Sequence, residues 1–159
     1  MKIASVVTAL ACVSVPLSAM AGDGRWTSGY GQGQTEATVT NARGTTFYVA
    51  CPDAALGQAT TVTLEPRGVT GGEDVANVGV LIMVDNRSTS WPLNRRVLDQ
   101  GQVIFTADAV TPTQKTQLRA LMQRMRAGRS VTVAIPSAGL RETFPLMGSA
   151  AALAACEVR

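Results

Sequence analysis

Once its leader is set aside, this chain keeps two cysteines, Cys51 and Cys156, and the second stands three residues from the end. The leader is MKIASVVTALACVSVPLSAMA: one early cation (Lys2), an apolar run from Ile3 to about Leu17, and Ala19-Met20-Ala21 before Gly22. Those are the three regions of a secretory signal peptide. The run is shorter than the roughly 20 residues a membrane span requires. Residues 1–21 are therefore expected to be cleaved, leaving a periplasmic or secreted chain with no stable membrane span. The competing reading, a lipoprotein acylated at Cys12, would leave apolar VSVPLSAMA exposed on the mature chain. An even cysteine pair in an oxidising compartment reads as a disulfide. Cys51–Cys156 is thus expected to pin the C-terminal segment to a strand near the front of the domain. In the chain-entropy treatment, a bridge closing so long a loop stabilises by about 4–5 kcal/mol.

The pattern that follows is that of one globular domain, 35–159, preceded by a glycine-rich polar arm, 22–34 (GDGRWTSGYGQGQ), expected to be flexible. Trp26 and Tyr30 offer the arm two ways to tack onto the body. Strand signals then repeat: TEATVTN (35–41), TTFYVAC (45–51), ATTVTLE up to Pro66, the apolar NVGVLIMVD (77–85) and GQVIFTA (101–107). At Thr111 the period changes. Thr111 suits an N-cap, Pro112 the first helical position and Gln114 a capping box. Leu118, Leu121, Met122 and Met125 recur at helical spacing up to Gly128. SVTVAIP (130–136) and LRETFPL (140–146) predict two more strands, and Ser149 can cap a short helix through Ala155. The expected fold is α+β: an antiparallel β-sheet or small β-sandwich, packed by the amphipathic helix 112–127, with a short C-terminal helix tied down by the disulfide.

The chemistry available to such a domain is narrow. The sequence has no histidine, which removes Ser-His-Asp and Cys-His pairs, the commonest general base and the favoured metal ligand. With both mature cysteines in a bridge, a zinc site would be all oxygen, which zinc disfavours. Glu73 and Asp74 sit in a glycine-rich loop and read as a solvated turn. GYGQGQ follows no strand and opens no helix, so it is not a phosphate loop. No cofactor, no metal and no enzymatic activity are expected. Net charge is +3, one unit lower once Lys2 leaves with the signal, and the arginines are spread along the chain, so nucleic acid is not an expected partner.

Two surfaces are candidates for recognition. SWPLNRR (90–96) gathers Trp91, Arg95 and Arg96 in a loop or short strand, and Trp and Arg dominate interface hot spots. The alternative is that Trp91 covers the sheet while the arginines guard an edge. The second surface is the basic side of the long helix, Lys115, Arg119, Arg126 and Arg129, which also reads as the solvated face any amphipathic helix shows. Of the two, the 86–96 segment is the expected binding surface.

The C-terminal third carries a resemblance. A helix ending in RAG, then SVTVAIP, then ETFPLMGSAAALAAC, with Phe144, Leu146, Gly148, Ser149, Ala152 and Leu153, resembles the closing segment of the invasion-associated locus B family. VLIMVDN, with Asp85 at the strand end, is similar to a mid-chain strand of the same family. The chain lacks the second, closely spaced cysteine pair of that family. The resemblance implies an exported β-rich protein linked to host-cell interaction and transfers no catalytic residue. The expected function is a non-enzymatic accessory protein binding another protein or an envelope component. A periplasmic inhibitor or immunity protein that blocks an enzyme is the alternative.

Cleavage after Ala21 should yield a mature chain beginning at Gly22, readable as a single intact mass. A product beginning at an acylated Cys12 would replace the secreted reading with a lipoprotein.

Overall fold

A computed structural model describes residues 24–156 and 158. Residues 1–21, expected to be cleaved, and with them Cys12, lie outside the described residues. The elements in chain order are β1 (Thr27–Gly31), β2 (Gln34–Thr40), β3 (Thr46–Pro52), β4 (Thr61–Glu65), β5 (Val75–Val84), β6 (Arg87–Val97), β7 (Val103–Asp108), α1 (Pro112–Ala127), β8 (Ser130–Ile135), β9 (Leu140–Pro145) and α2 (Ser149–Ala154). All nine strands form one antiparallel sheet in the order β1-β2-β3-β4-β7-β6-β5-β8-β9. The α+β architecture read from the periodicities is the one observed.

Alternation decides which face is buried. Phe47, Val49 and Cys51 on β3, Leu64 on β4, Phe105 on β7 and Ile82 on β5 turn one way and are at most 4% exposed. The opposite face is polar, with hydroxyl pairs such as Thr63–Thr106 at 2.9 Å and Thr132–Thr143 at 2.9 Å linking neighbouring strands. Leu118, Leu121, Met122 and Met125 of α1 complete the core. The start of α1 is as its residues dictate: Thr111 accepts from the Gln114 N–H, and Gln114 returns a bond to the Thr111 N–H.

Two expectations about the strands are corrected. The arm over 22–34 is ordered from Gly24 onward, because Thr27–Gly31 pairs with β2. Trp26 anchors it: 2% exposed, it donates from Nε1 to the Pro145 carbonyl (3.1 Å) and meets Phe47 edge-on at 5.9 Å. Trp26 N also donates to Met147 O (2.9 Å). The second concerns 86–96, expected as a loop or short strand: it is a strand and forms most of β6. Its residues alternate, with Trp91 and Leu93 inward and Ser88, Ser90 and Pro92 outward, and the two-residue turn Asp85-Asn86 pairs it with β5. Pro92 and the serines hid this strand, since they lower β propensity without spoiling the inward face.

The curled sheet brings its β2–β3 corner against β9. Phe47 packs on Phe144 at 5.7 Å, and Asn41 reaches the buried carboxylate of Glu142, Nδ2 to Oε2 2.7 Å. Asn41 Oδ1 meanwhile accepts from the Arg43 and Thr45 N–H groups. Every hydrogen-bonding valence of this buried amide is used, which is what burial of a polar group demands.

At the other end α2 and α1 pack together. Ser149 does not cap α2, as its position suggested. The cap is Gly148 at φ 85°, and Ser149 is the first helical residue, its buried hydroxyl donating to Met125 O at 2.8 Å. A side chain at Gly148 would also bring its Cβ to 2.8 Å from Trp26 O, so glycine is required there on both counts. Cys51 and Cys156 are bridged as expected, with Cα atoms 5.3 Å apart, tying the end of α2 to β3.

Cys156→Ser should therefore lower stability in chemical denaturation by at most about 4–5 kcal/mol, less where the reduced denatured state keeps structure. Two reactive thiols in the unfolded, unreduced protein would contradict the bridge. Trp91 is 1% exposed and its indole N–H has no partner among the described residues. Trp91→Ala should thus cost about 3–5 kcal/mol. Trp91→Phe should cost less, because it removes no hydrogen bond; equal losses for the two would show that the N–H is satisfied.

Candidate functional site

The residues singled out on β6 part company in the structure. Trp91 faces the core and offers a partner no surface. Arg95 and Arg96 both bind the glycine-rich loop that precedes β5. Arg95 donates through its two terminal nitrogens to the carbonyls of Glu73 and Gly71. Arg96 pairs with Asp74 at 3.0 Å, and Val97 N donates to the same carboxylate at 2.8 Å. The Val97 N–H, followed by Arg96, holds the Asp74 carboxyl below the usual aspartate range. The loop is tied once more by Gly71 N to Gly101 O at 2.8 Å. This set works as a clamp: the arginines fix an exposed loop rather than wait for a ligand.

The helix face is arranged differently. Among the described residues two ion pairs form, Arg43–Glu142 and Arg96–Asp74. The cations of α1 are in neither. Arg119 Nε donates to Val158 O at 3.1 Å, and Arg126 donates to Leu153 O, so both lie along the C-terminal segment. Arg124 takes the opposite flank, donating to the Thr89 hydroxyl on β6. A shallow cavity of about 300 Å³ lies on the first flank, lined by Arg119, Met122, Gln123, Arg126, Cys156 and Val158. Another of about 380 Å³ lies on the second, between α1 and the β5–β6 turn, with Arg87 and Arg124 in its walls.

Arg119, Arg124 and Arg126 each spend one or two of their five donors on a carbonyl or hydroxyl, and none of them is ion-paired among the described residues. The sequence carries a signal for this that the spacing of the arginines conceals: no Asp or Glu occurs between Ala109 and Arg141. The arginines are spread along the chain as a whole, yet the helix sets its own along the two flanks of its exposed ridge. Arg124 was not among the candidate residues, and Arg87 entered only as part of the 86–96 segment, because only the hairpin packing brings β6 beside α1.

The remaining polar features are structural links. Tyr30 donates to Asp53 Oδ2 at 2.7 Å, joining the β1–β2 hairpin to the segment after β3, and this bond to a carboxylate pushes the phenol above its ordinary range. Among the described residues no three His, Cys, Asp or Glu side chains converge as metal ligands, and no helix is long and apolar enough to cross a membrane.

Comparison with curated proteins finds no match. The chain is similar in fold to the crystal structure of invasion associated protein B from Bartonella henselae, with a TM-score of 0.51 and 17% identity, over 82% of this chain and 89% of that one. At that identity the likeness is one of fold, and it extends well beyond the C-terminal third that first suggested it. The sequence profile of the YfjT family matches residues 24–153, from the strand that Trp26 anchors to the helix held by the disulfide, and the chain belongs to that family.

Proposed function

We propose that this chain is a non-enzymatic accessory protein, exported to the periplasm or beyond, that binds a component of the cell envelope, with contact to a host cell as its wider role. The observation that carries the reading is the α1 face, where Lys115, Arg119, Arg124 and Arg126 stand on a rigid scaffold with no acidic partner among the described residues. The likeness to an invasion associated protein supports the wider role. The disulfide suits an oxidising compartment. The lack of any histidine in the sequence leaves hydrolytic or transfer chemistry without its usual base.

One observation favours the inhibitor reading instead. The exposed loop around Gly72 and Glu73 is fastened by Arg95, Arg96 and Gly101. A preorganised loop loses little entropy on entering an enzyme's cleft. Photo-crosslinkers placed at Gln123 on α1 and at Glu73 in the loop, in the exported protein within living cells, separate the two. Adducts at Gln123 are expected. Adducts confined to Glu73 would transfer the function to the inhibitor class, and none at either site would remove the binding reading.

A further inference from the structure

The exposed side of α1 has a composition that narrows what it touches. Lys115, Arg119 and Arg126 follow one another at i, i+4 and i+11, so they share one flank of the helix, while Arg124 stands on the other. Between them runs a ridge of Thr116, Ala120, Gln123 and Ala127, all exposed and mostly short. Arg129 just beyond the helix and Arg87 across the β5–β6 turn adjoin the second flank, where Asp85, which accepts from the Arg129 and Ser130 N–H groups, offsets part of their charge. A helix of 16 residues presents this face over about 24 Å.

Protein interfaces are built around an apolar or aromatic centre with a polar rim. This face has no such centre. The large apolar side chains exposed among the described residues are Tyr30, Leu56, Val75, Leu81, Leu98, Val110 and Met147, and none lies on α1. The helix cannot turn over to insert, since Leu118, Leu121, Met122 and Met125 are committed to the core. What remains is a straight cationic bar with a low ridge, suited to lie along a flat anionic surface without penetrating it. Arginine adds planar, two-pronged donation to phosphate oxygens.

Deepening the binding role proposed above, on which this rests, we infer that the α1 face docks on the anionic phospholipid headgroups of a bilayer surface. Each cation brought to such a surface contributes about 1 kcal/mol, and the attraction fades within a Debye length. The contact is therefore reversible and salt-sensitive.

Sedimentation of the purified, oxidised chain with vesicles tests it. One set contains two parts phosphatidylcholine to one part phosphatidylglycerol, and the other phosphatidylcholine alone. Binding to the anionic set at low salt, lost in about 0.5 M NaCl, is expected. Thr116→Glu/Ala120→Glu alters exposed ridge positions that hold no other element, and it should weaken binding about tenfold or more. Thr116→Gln/Ala120→Gln should bind nearly as well as the unaltered chain, which shows that charge and not the ridge shape is at issue. Arg67→Gln, beside Gly44 at the other end of the sheet, should change nothing. Equal sedimentation with both vesicle sets, none with either, or full binding by the glutamate variant while its melting temperature is unchanged would overturn the lipid inference. Protein adducts at Gln123 alongside a negative vesicle result would overturn this inference and leave the broader binding role standing.

Discussion

The meeting of the β2–β3 corner with β9 is the contact on which the architecture turns. A nine-stranded antiparallel sheet with one apolar face has to curl over that face or cover it. Here Phe47 against Phe144 and Trp26 against Phe47 draw the two regions together. Area burial alone would let that contact slide, because apolar packing has no direction. The Asn41–Glu142 bond supplies the register. A carboxylate at 7% exposure is costly unless it is paired. Only one alignment of the β2–β3 turn with β9 satisfies it, which makes this polar contact a device of specificity more than of strength.

The rest follows from what the seam leaves open. The end of the curled sheet is filled by α1 and α2, and α2 is too short to hold its place by its own hydrogen bonds. Its position is fixed by three links of different kinds: the Cys51–Cys156 bridge, the Ser149 hydroxyl on Met125 O, and Arg126 on Leu153 O. Gly148 belongs to the same arrangement, since its backbone passes too close to Trp26 for any side chain. The result is a helix α1 held from below by the core and from the side by the C-terminal segment, with one face left to solvent. That face carries the cations. Structure and surface meet at Arg126, whose bond to Leu153 O ties α2 to α1 and lays its guanidinium along the C-terminal segment.

Arginine plays two parts in this protein, and the difference is one of surroundings. Arg95 and Arg96 lie beside a loop rich in carbonyls and acids and are consumed in fastening it. Arg119, Arg124 and Arg126 lie on a helix without acids, so their bonds to carbonyls and a hydroxyl orient them without cancelling their charge. A pair of adjacent arginines next to a tryptophan looks in sequence like a recognition motif. Folding places the tryptophan in the core and turns the arginines toward their own chain.

The sequence by itself determined the strands at 35–41, 45–51, 59–65, 77–85, 101–107, 130–136 and 140–146, the helix with its cap, and the disulfide. Each of these rests on local rules of period, capping and cysteine parity that act within a few residues or in the whole compartment. It also held the acid-free run of the cationic helix, legible as composition. Tertiary structure decided the rest. β1 exists because Trp26 finds Pro145 and Met147, more than a hundred residues away, and nothing in GRWTSGYG announces that partner. β6 exists because β5 and β7 each offer an edge on which a serine- and proline-bearing segment can pair. The fates of Trp91, Arg95 and Ser149 were likewise set by what lay opposite them. A side chain's chemistry is local, but whether it is spent on the fold or left for a partner depends on contacts that only the folded chain brings together.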